Sequence, residues 1–190
     1  MAAFQGGDAD AFREIVVRHM PGVFNFMARH TSPRMADDLA QEVFLRVVER
    51  KALFKHESRL STWLYAIARN LGVDTLRKLA HRKHASLDEP GATGAPLVEE
   101  LSDDHPGGRG DVTAERAESG ERIQGALAVL PEEQREVFLL REVGELPFPE
   151  IALITGASEN TVKSRMRYAL ERLQAALGEY EQYAKEVAVP

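Results

Sequence analysis

The run Ser158-Glu159-Asn160-Thr161-Val162-Lys163-Ser164-Arg165-Met166-Arg167 concentrates side chains suited to reading duplex DNA. Lys and Arg can hydrogen-bond guanine edges, Asn160 can pair bidentately with adenine, and Ser164 can hold a phosphate. A second constellation interleaves rings with cations: Phe44, Phe54, Trp63 and Tyr65 lie near Lys55, His56, Arg59, Arg69, Arg77, Lys78 and Arg82. Single-stranded bases need faces to stack on, at about 1–3 kcal/mol each, and their phosphates need cations. At a helix start, however, Trp63 and Tyr65 are more often core or half-core residues than stacking platforms. A third set, Asp37, Asp38, Glu42, His56 and Glu57, has the residue types of a metal-dependent nuclease. Asp38 and Glu42 share one helical side with no positioned Lys or His, so solvated charge accounts for them better. The tract His81-Arg82-Lys83-His84 fits a basic DNA-facing helix better than a metal site.

These residues need helices to position them. Val162, Met166, Ala169, Leu170, Leu173 and Leu177 keep helical spacing after a Ser158 cap, which turns Lys163, Ser164 and Arg167 outward. Before that cap, Pro147 to Thr155 predicts a short helix stopped at Gly156, and the pair forms a helix-turn-helix pattern. Pro131, at the first helical position, and Glu132-Glu133 predict a helix through Val137, Phe138, Leu140 and Val143 that ends at Gly144. A further helix is expected from near Thr113 to Leu130. At the other end, Asp8 caps a helix through Phe12, Ile15, Val16 and His19, with a kink or break at Pro21 and a second leg through Val23, Phe24, Met27 and Ala28. From Met35, Leu39, Val43, Phe44, Val47 and Val48 line one helical face and leave Asp37, Asp38, Gln41, Glu42 and Glu49 outside it. An irregular stretch, Phe54 to Ser61, precedes a third helix carrying Trp63, Leu64, Ile67, Ala68, Leu71, Leu76 and Leu79. No alternating β-branched pattern predicts a sheet.

The charge distribution divides the chain in the same places. Residues 1–84 carry 14 Lys and Arg against 9 Asp and Glu, a net +5; residues 85–120 carry 2 against 9, a net −7; residues 121–190 carry 8 against 12, a net −4. The overall −6 therefore hides a basic front and an acidic middle, which suggests separate electrostatic roles. Residues 85–120 are also rich in Gly and Pro and poor in large apolar residues, so a mobile linker is expected there. With 190 residues, 44% of them apolar, the chain can close one or two modest cores. The absence of Cys excludes disulfides, thiolate zinc and a cysteine nucleophile. No signal peptide or membrane-spanning run is apparent, and a cytoplasmic location without membrane insertion is expected.

Ala36-Asp37-Asp38-Leu39-Ala40-Gln41-Glu42-Val43-Phe44-Leu45-Arg46, then Ser61-Thr62-Trp63-Leu64-Tyr65-Ala66-Ile67-Ala68-Arg69-Asn70 and Asp74-Thr75-Leu76-Arg77, resemble domain two of bacterial sigma factors of the extracytoplasmic-function type. Leu130-Pro131-Glu132-Glu133-Gln134-Arg135-Glu136-Val137-Phe138, Glu150-Ile151-Ala152 and Thr161-Val162-Lys163-Ser164-Arg165 resemble domain four. Both blocks stand in the family's order and together cover nearly the whole chain. The resemblance implies an all-α chain of two small helical domains, 1–84 and 121–190, joined by an acidic linker, 85–120. Asn160, where many relatives have Gly, and Pro147-Phe148-Pro149, where a single aromatic is usual, depart from the pattern. These departures bear on sequence preference, not on the fold.

By position, the resemblance makes Asp37, Asp38, Leu39, Gln41, Glu42 and Leu45 the docking surface for the clamp helices of the largest RNA polymerase subunit. Phe54, Lys55, His56, Arg59, Ser61, Thr62, Trp63, Tyr65, Arg69, Asn70, Arg77 and Lys78 would capture and line the melted minus-ten element. Ser158, Glu159, Asn160, Thr161, Lys163, Ser164, Arg165 and Arg167 would read the minus-thirty-five element. The implied partners are polymerase core, including the flap of the second-largest subunit, promoter DNA as duplex and single strand, and an anti-sigma factor. The linker could enter the polymerase RNA channel or act as a plain tether. No catalytic residue, cofactor or metal is expected. The rival reading, a stand-alone helix-turn-helix regulator, accounts for residues 131–177 and leaves the Asp37–Glu42 helix and the Trp63 segment unexplained.

Overall fold

The computed structural model describes residues 1–87, 120 and 122–187, with side chains for 1–82, 120 and 122–178. The expected linker and the expected helix start near Thr113 lie outside these residues. The described residues hold helices and no strand, and no described helix is long and apolar enough to cross a membrane.

The N-terminal bundle comprises α1 (Ala2–Gln5), α2 (Ala9–His30), α3 (Pro33–Arg50) and α4 (Leu60–Leu87), with one 3-10 turn at Lys51–Leu53. The Asp8 carboxylate accepts from the N–H groups of Asp10 and Ala11 at 2.9 and 3.1 Å and so starts α2. The predicted interruption at Pro21 does not occur: α2 is continuous through it. Pro21 and Val17 are both exposed, so water can solvate the Val17 carbonyl that the missing N–H leaves free. Val23, Phe26 and Met27 of α2 meet Ala36, Ala40, Val43 and Val47 of α3 and Leu64 and Ala68 of α4, all fully buried. Each large side chain among them contributes about 1.5–3 kcal/mol by leaving water. Helix α4 runs to Leu87, three residues past the boundary drawn from sequence at 84.

The C-terminal bundle comprises α5 (122–128), α6 (Glu132–Glu142), α7 (Phe148–Thr155) and α8 (Glu159–Val187). Pro131 occupies the cap position of α6 rather than its first turn. The N–H groups of Val143 and Gly144 both donate to the Leu139 carbonyl, at 2.9 and 3.1 Å, closing the helix. Its left-handed residue is Glu145, at φ 53°, whereas Gly144 is required because a Cβ there would lie 2.6 Å from the Leu140 carbonyl oxygen. Gly156 ends α7 in the left-handed conformation at φ 69°, giving the tight turn into α8. Val137, Leu140, Leu146, Ile151, Val162 and Ala169 form the core of this bundle. Leu170 and Leu177, expected on that core face, are exposed.

The two bundles pack directly on each other, α2 against α6 and α4 against α7, and their buried residues form one continuous cluster. The sequence gives each helix its apolar face, but says nothing of this second layer of contact.

Candidate nucleic-acid interface

The N-terminal turn of α8 is built by its predecessors. The Ser158 hydroxyl accepts from the Thr161 N–H at 3.1 Å and shares a hydrogen bond with the Thr161 hydroxyl at 2.8 Å. With Val162 and Met166 held in the core, Ser158, Asn160, Thr161, Lys163, Ser164 and Arg167 are exposed along the first two turns, and Glu159 and Arg165 are half-buried. Lys163 pairs with Glu159 at 2.5 Å, Arg167 with Glu171 at 3.0 Å, and Arg165 with Glu133 at 3.9 Å. The Arg167 guanidinium also lies 4.3 Å from the Tyr168 ring centroid. Exposed pairs of this kind are worth about 0–1 kcal/mol each and yield readily to phosphate.

The ring-and-cation set gathers on the loop before α4 and the first turns of that helix. Phe54 is buried, its ring 4.7 Å edge-on from His56 and 5.3 Å from Trp63. His56 takes a left-handed backbone, φ 60°, and its Nε2 is 2.8 Å from the Gln5 side-chain oxygen. The Gln5 amide donates to the carbonyls of Lys51 and Phe54 at 2.7 and 2.8 Å, while Lys51 donates to the Phe4 carbonyl at 3.3 Å. One glutamine of α1 therefore ties the whole loop to the body. Sequence reasoning missed Gln5 because a four-residue helix leaves no periodic pattern.

Lys55, His56, Arg59, Asn70, Arg77 and Lys78 are exposed, Arg77 lying 3.6 Å from Asp74. Ser61, Trp63 and Arg69 are half-buried, and Thr62 and Tyr65 are buried. Thr62, Tyr65 and Arg69 also reach the other bundle. The Arg69 guanidinium holds Glu136 through Nε at 2.5 Å and Nη2 at 3.5 Å. Arg59 lies 3.5 Å from Glu150, to which the Thr62 hydroxyl also donates. The Tyr65 hydroxyl donates to the Val143 carbonyl at 3.2 Å, and Gln124 donates to the Ala28 carbonyl at 2.8 Å. Burial, then the nearby Glu145 carboxylate, pushes the Tyr65 phenol up to about 12, so it stays a donor. Glu136 and Glu150 were not singled out from sequence; the available signal is a carboxylate at Glu136, one turn before Leu140 on the buried stripe of α6.

His30 ends α2 beneath this contact, almost fully buried and stacked on Phe26 at 5.2 Å, with both ring nitrogens unpartnered. Burial, followed by the charges of Arg135 and Arg69, lowers its pKa to about 4. The imidazole is therefore neutral at pH 7. Gly72 lets α4 approach it: a Cβ there would lie 2.4 Å from the His30 Cδ2.

On α3, Asp37, Asp38, Gln41 and Leu45 are exposed together, joined by Val48, which the sequence placed in the core. Glu42 is half-buried against Arg46 Nε at 2.9 Å. Leu39 is buried and belongs to the core beneath this face rather than to the face itself. Leu45, at 59% exposure, is a large apolar side chain on the same exposed side of α3 as Asp38 and Gln41. Among the described residues no group of three or more His, Asp or Glu could hold a metal ion.

Comparison with known proteins gives a consistent picture. Residues 15–82 match the family model described as Sigma-70 region 2, and residues 120–173 match Sigma-70, region 4. The chain is 31% identical over 182 residues to the RNA polymerase sigma factor CarQ of Myxococcus xanthus, covering 95% of this chain and 97% of that one. It is 30% identical over 172 residues to the ECF RNA polymerase sigma factor SigW of Bacillus subtilis, covering 90% and 91%. Among solved structures, the sigma factor RpoE of Bartonella quintana, in complex with the anti-sigma factor NepR, superposes with a TM-score of 0.69 at 26% identity, covering 90% of this chain and 98% of that one. CnrH, in complex with the cytosolic domain of CnrY, shares the fold with a TM-score of 0.67 at 22% identity, covering 94% of each chain.

Proposed function

Since this chain belongs to the sigma-70 family, in its extracytoplasmic-function class, and directs promoter-specific initiation by RNA polymerase, we propose how its surfaces divide that work. The exposed Asp37, Asp38, Gln41, Leu45 and Val48 face of α3, flanked by Glu42, docks on the clamp helices of the largest polymerase subunit. Its carboxylates meet the basic partner and Leu45 and Val48 supply apolar area. The loop Phe54 to Thr62 captures one unstacked base of the minus-ten element, and Trp63, Arg69, Asn70 and Arg77 along α4 line the separated strand. Melting then follows from differential affinity: contacts available only to an unstacked base offset the few kcal/mol of unstacking. The first turns of α8 enter the major groove of the minus-thirty-five element, with Lys163, Ser164 and Arg167 toward bases and phosphates. The flap of the second-largest subunit supports the C-terminal bundle, and an anti-sigma factor is the regulatory partner. The chain performs no chemistry of its own and works without a cofactor, in the cytoplasm.

The observation carrying this reading is the joint presence, on one chain, of an outward basic helix start after a tight Gly156 turn and a ring-lined loop at Phe54, His56 and Trp63. A duplex-binding regulator needs only the former. The test is transcription from a promoter library by purified core polymerase with and without the chain. Chain-dependent transcripts from a shared motif are expected. Failure to associate with core, combined with unaided occupancy of duplex sites, would establish the stand-alone regulator instead.

A further inference from the structure

Four residues are too few for a helix to stand alone, so α1 keeps its place through tertiary contact. Phe4 is buried and stacked on Phe12 of α2. Lys51 donates to the Phe4 carbonyl and lies over its ring, 4.9 Å from the centroid. Gln5, the next residue, is thereby fixed beside the loop that begins at Phe54. We propose that Gln5 positions His56 so that the imidazole Nδ1 accepts a hydrogen bond from the captured base, which makes the loop select adenine or cytosine. This deepens the base-capture reading of the loop and rests on it.

The hydrogen-bond roles decide which imidazole nitrogen is free. The Gln5 Nε2 donates to two carbonyls, those of Lys51 and Phe54. Only the nitrogen of the amide can do so, which excludes the flipped orientation and turns Oε1, an acceptor, toward His56 Nε2 at 2.8 Å. The imidazole hydrogen must then sit on Nε2. In the neutral ring that leaves Nδ1 with a lone pair, and among the described residues nothing donates to it. Turning the ring over would break its bond to Gln5 and its edge-on contact with Phe54 at 4.7 Å.

The backbone points the same way. His56 has φ 60°, a left-handed conformation that glycine adopts freely and a residue with a side chain adopts at a cost. Such strain persists where surrounding contacts over-determine it, and here Gln5 and Phe54 supply those contacts. The imidazole fills no core, because His56 is exposed; the strain serves to present a polar ring to solvent. An unstacked base is read by hydrogen bonds along its pairing edge. On that edge adenine and cytosine carry an amino group, a donor, where guanine and thymine carry a carbonyl oxygen, an acceptor. A lone pair at Nδ1 attracts the amino groups and repels the oxygens.

Two measurements on the full chain test this. In the first, holoenzyme assembled from purified core polymerase and the chain selects from a pool of short, fully randomised single DNA strands, and the retained strands are sequenced. At one position the unaltered chain should enrich adenine or cytosine over guanine and thymine about fivefold, the worth of one neutral hydrogen bond. His56→Gly, which suits the left-handed backbone, and Gln5→Met, which keeps the side-chain length without the amide, should each erase that preference and leave the others. If every preference survives either substitution, or the one that is lost favours guanine or thymine, the proposal is overturned. In the second, the free chain carrying isotope-labelled histidine nitrogens is studied by NMR in alkaline buffer, the His56 signals being those lost in His56→Gly. A single Nε2–H tautomer in the unaltered chain and a mixture of tautomers in Gln5→Met are expected. A mixture in the unaltered chain, or an unchanged spectrum in Gln5→Met, overturns the positioning role, whether or not Gln5→Met still retains strands. If the unaltered holoenzyme retains strands with no preference at any position, base capture by the loop is refuted together with the selectivity drawn from it. The spectrum, recorded without DNA, separates that failure from a failure of Gln5 to orient His56.

Discussion

Substituting Gly72 by Ala sets two effects of opposite sign against each other, and the structure decides between them. Inside a helix, Gly to Ala is ordinarily worth about 1 kcal/mol of stabilisation. At Gly72 the new methyl carbon would lie 2.4 Å from Cδ2 and 2.9 Å from Nε2 of His30, well inside van der Waals contact. The imidazole cannot easily retreat, because it is almost fully buried and stacked on Phe26, whose own ring meets Tyr65 edge-on at 5.4 Å. Overpacking of a filled core costs about 1–3 kcal/mol, so Gly72→Ala should lower stability by about 1 kcal/mol or more. With His30→Ala in place the obstruction is gone and the propensity gain returns. The same Gly72→Ala change should then raise stability by up to about 1 kcal/mol. Urea unfolding of the four proteins of this double-mutant cycle, with midpoints compared at a common slope, gives the coupling as about 2 kcal/mol or more. If Gly72→Ala has the same sign and size in both backgrounds, the close approach of α4 to His30 is not what limits this position.

Three further outcomes follow from the same geometry. The folded-state pKa of His30, about 4, lies below its unfolded value of 6.5. The unfolded chain therefore binds the extra proton first, so stability holds above pH 6.5 and declines by up to about 3 kcal/mol as pH falls toward 4. Urea titrations from pH 7 to 4 should show that slope, and His30→Phe, which stays neutral, should flatten it. Charge reversal of Asp38 to Lys, an exposed position, should weaken core polymerase binding about tenfold or more with an unchanged unfolding midpoint; unaltered affinity in a titration contradicts docking through α3. Lys163→Ala and Arg167→Ala should each reduce duplex promoter affinity and lower the salt slope of binding by about one. Unchanged upstream protection in a footprint contradicts the groove assignment for α8.

The helices were legible because their signals are local. Asp8 and Ser158 cap where their side chains predict, and the stripes Leu39–Val43–Val47 and Val162–Met166–Ala169 are buried as their spacing requires. Local signals also explain what was misplaced. Leu170 and Leu177 obey the same spacing, yet periodicity marks a face without saying how far along the helix its neighbours reach. Pro21 reads as a breaker, but a helix whose proline lies on the exposed side can continue through it. Charges at Arg59 and Arg69 and the hydroxyls of Thr62 and Tyr65 read as free for nucleic acid, whereas in the fold they engage Glu150, Glu136 and Val143. Contacts between residues as far apart as Arg69 and Glu136 depend on tertiary pairing, which no spacing rule encodes. The carboxylates on α3 were visible as an acidic face, though Leu39 belongs beneath it and Val48 upon it.

The hold of Gln5 on the carbonyls of Lys51 and Phe54 has a practical corollary for anyone producing the protein. The opening turn, with Phe4 buried and stacked on Phe12 at 4.8 Å, pegs down a loop some fifty positions later. Trimming the first five residues pulls that peg out. Such a truncation would blur strand-capture measurements while sparing the turn before α8 that reads duplex, a mismatch easily mistaken for a property of the promoter.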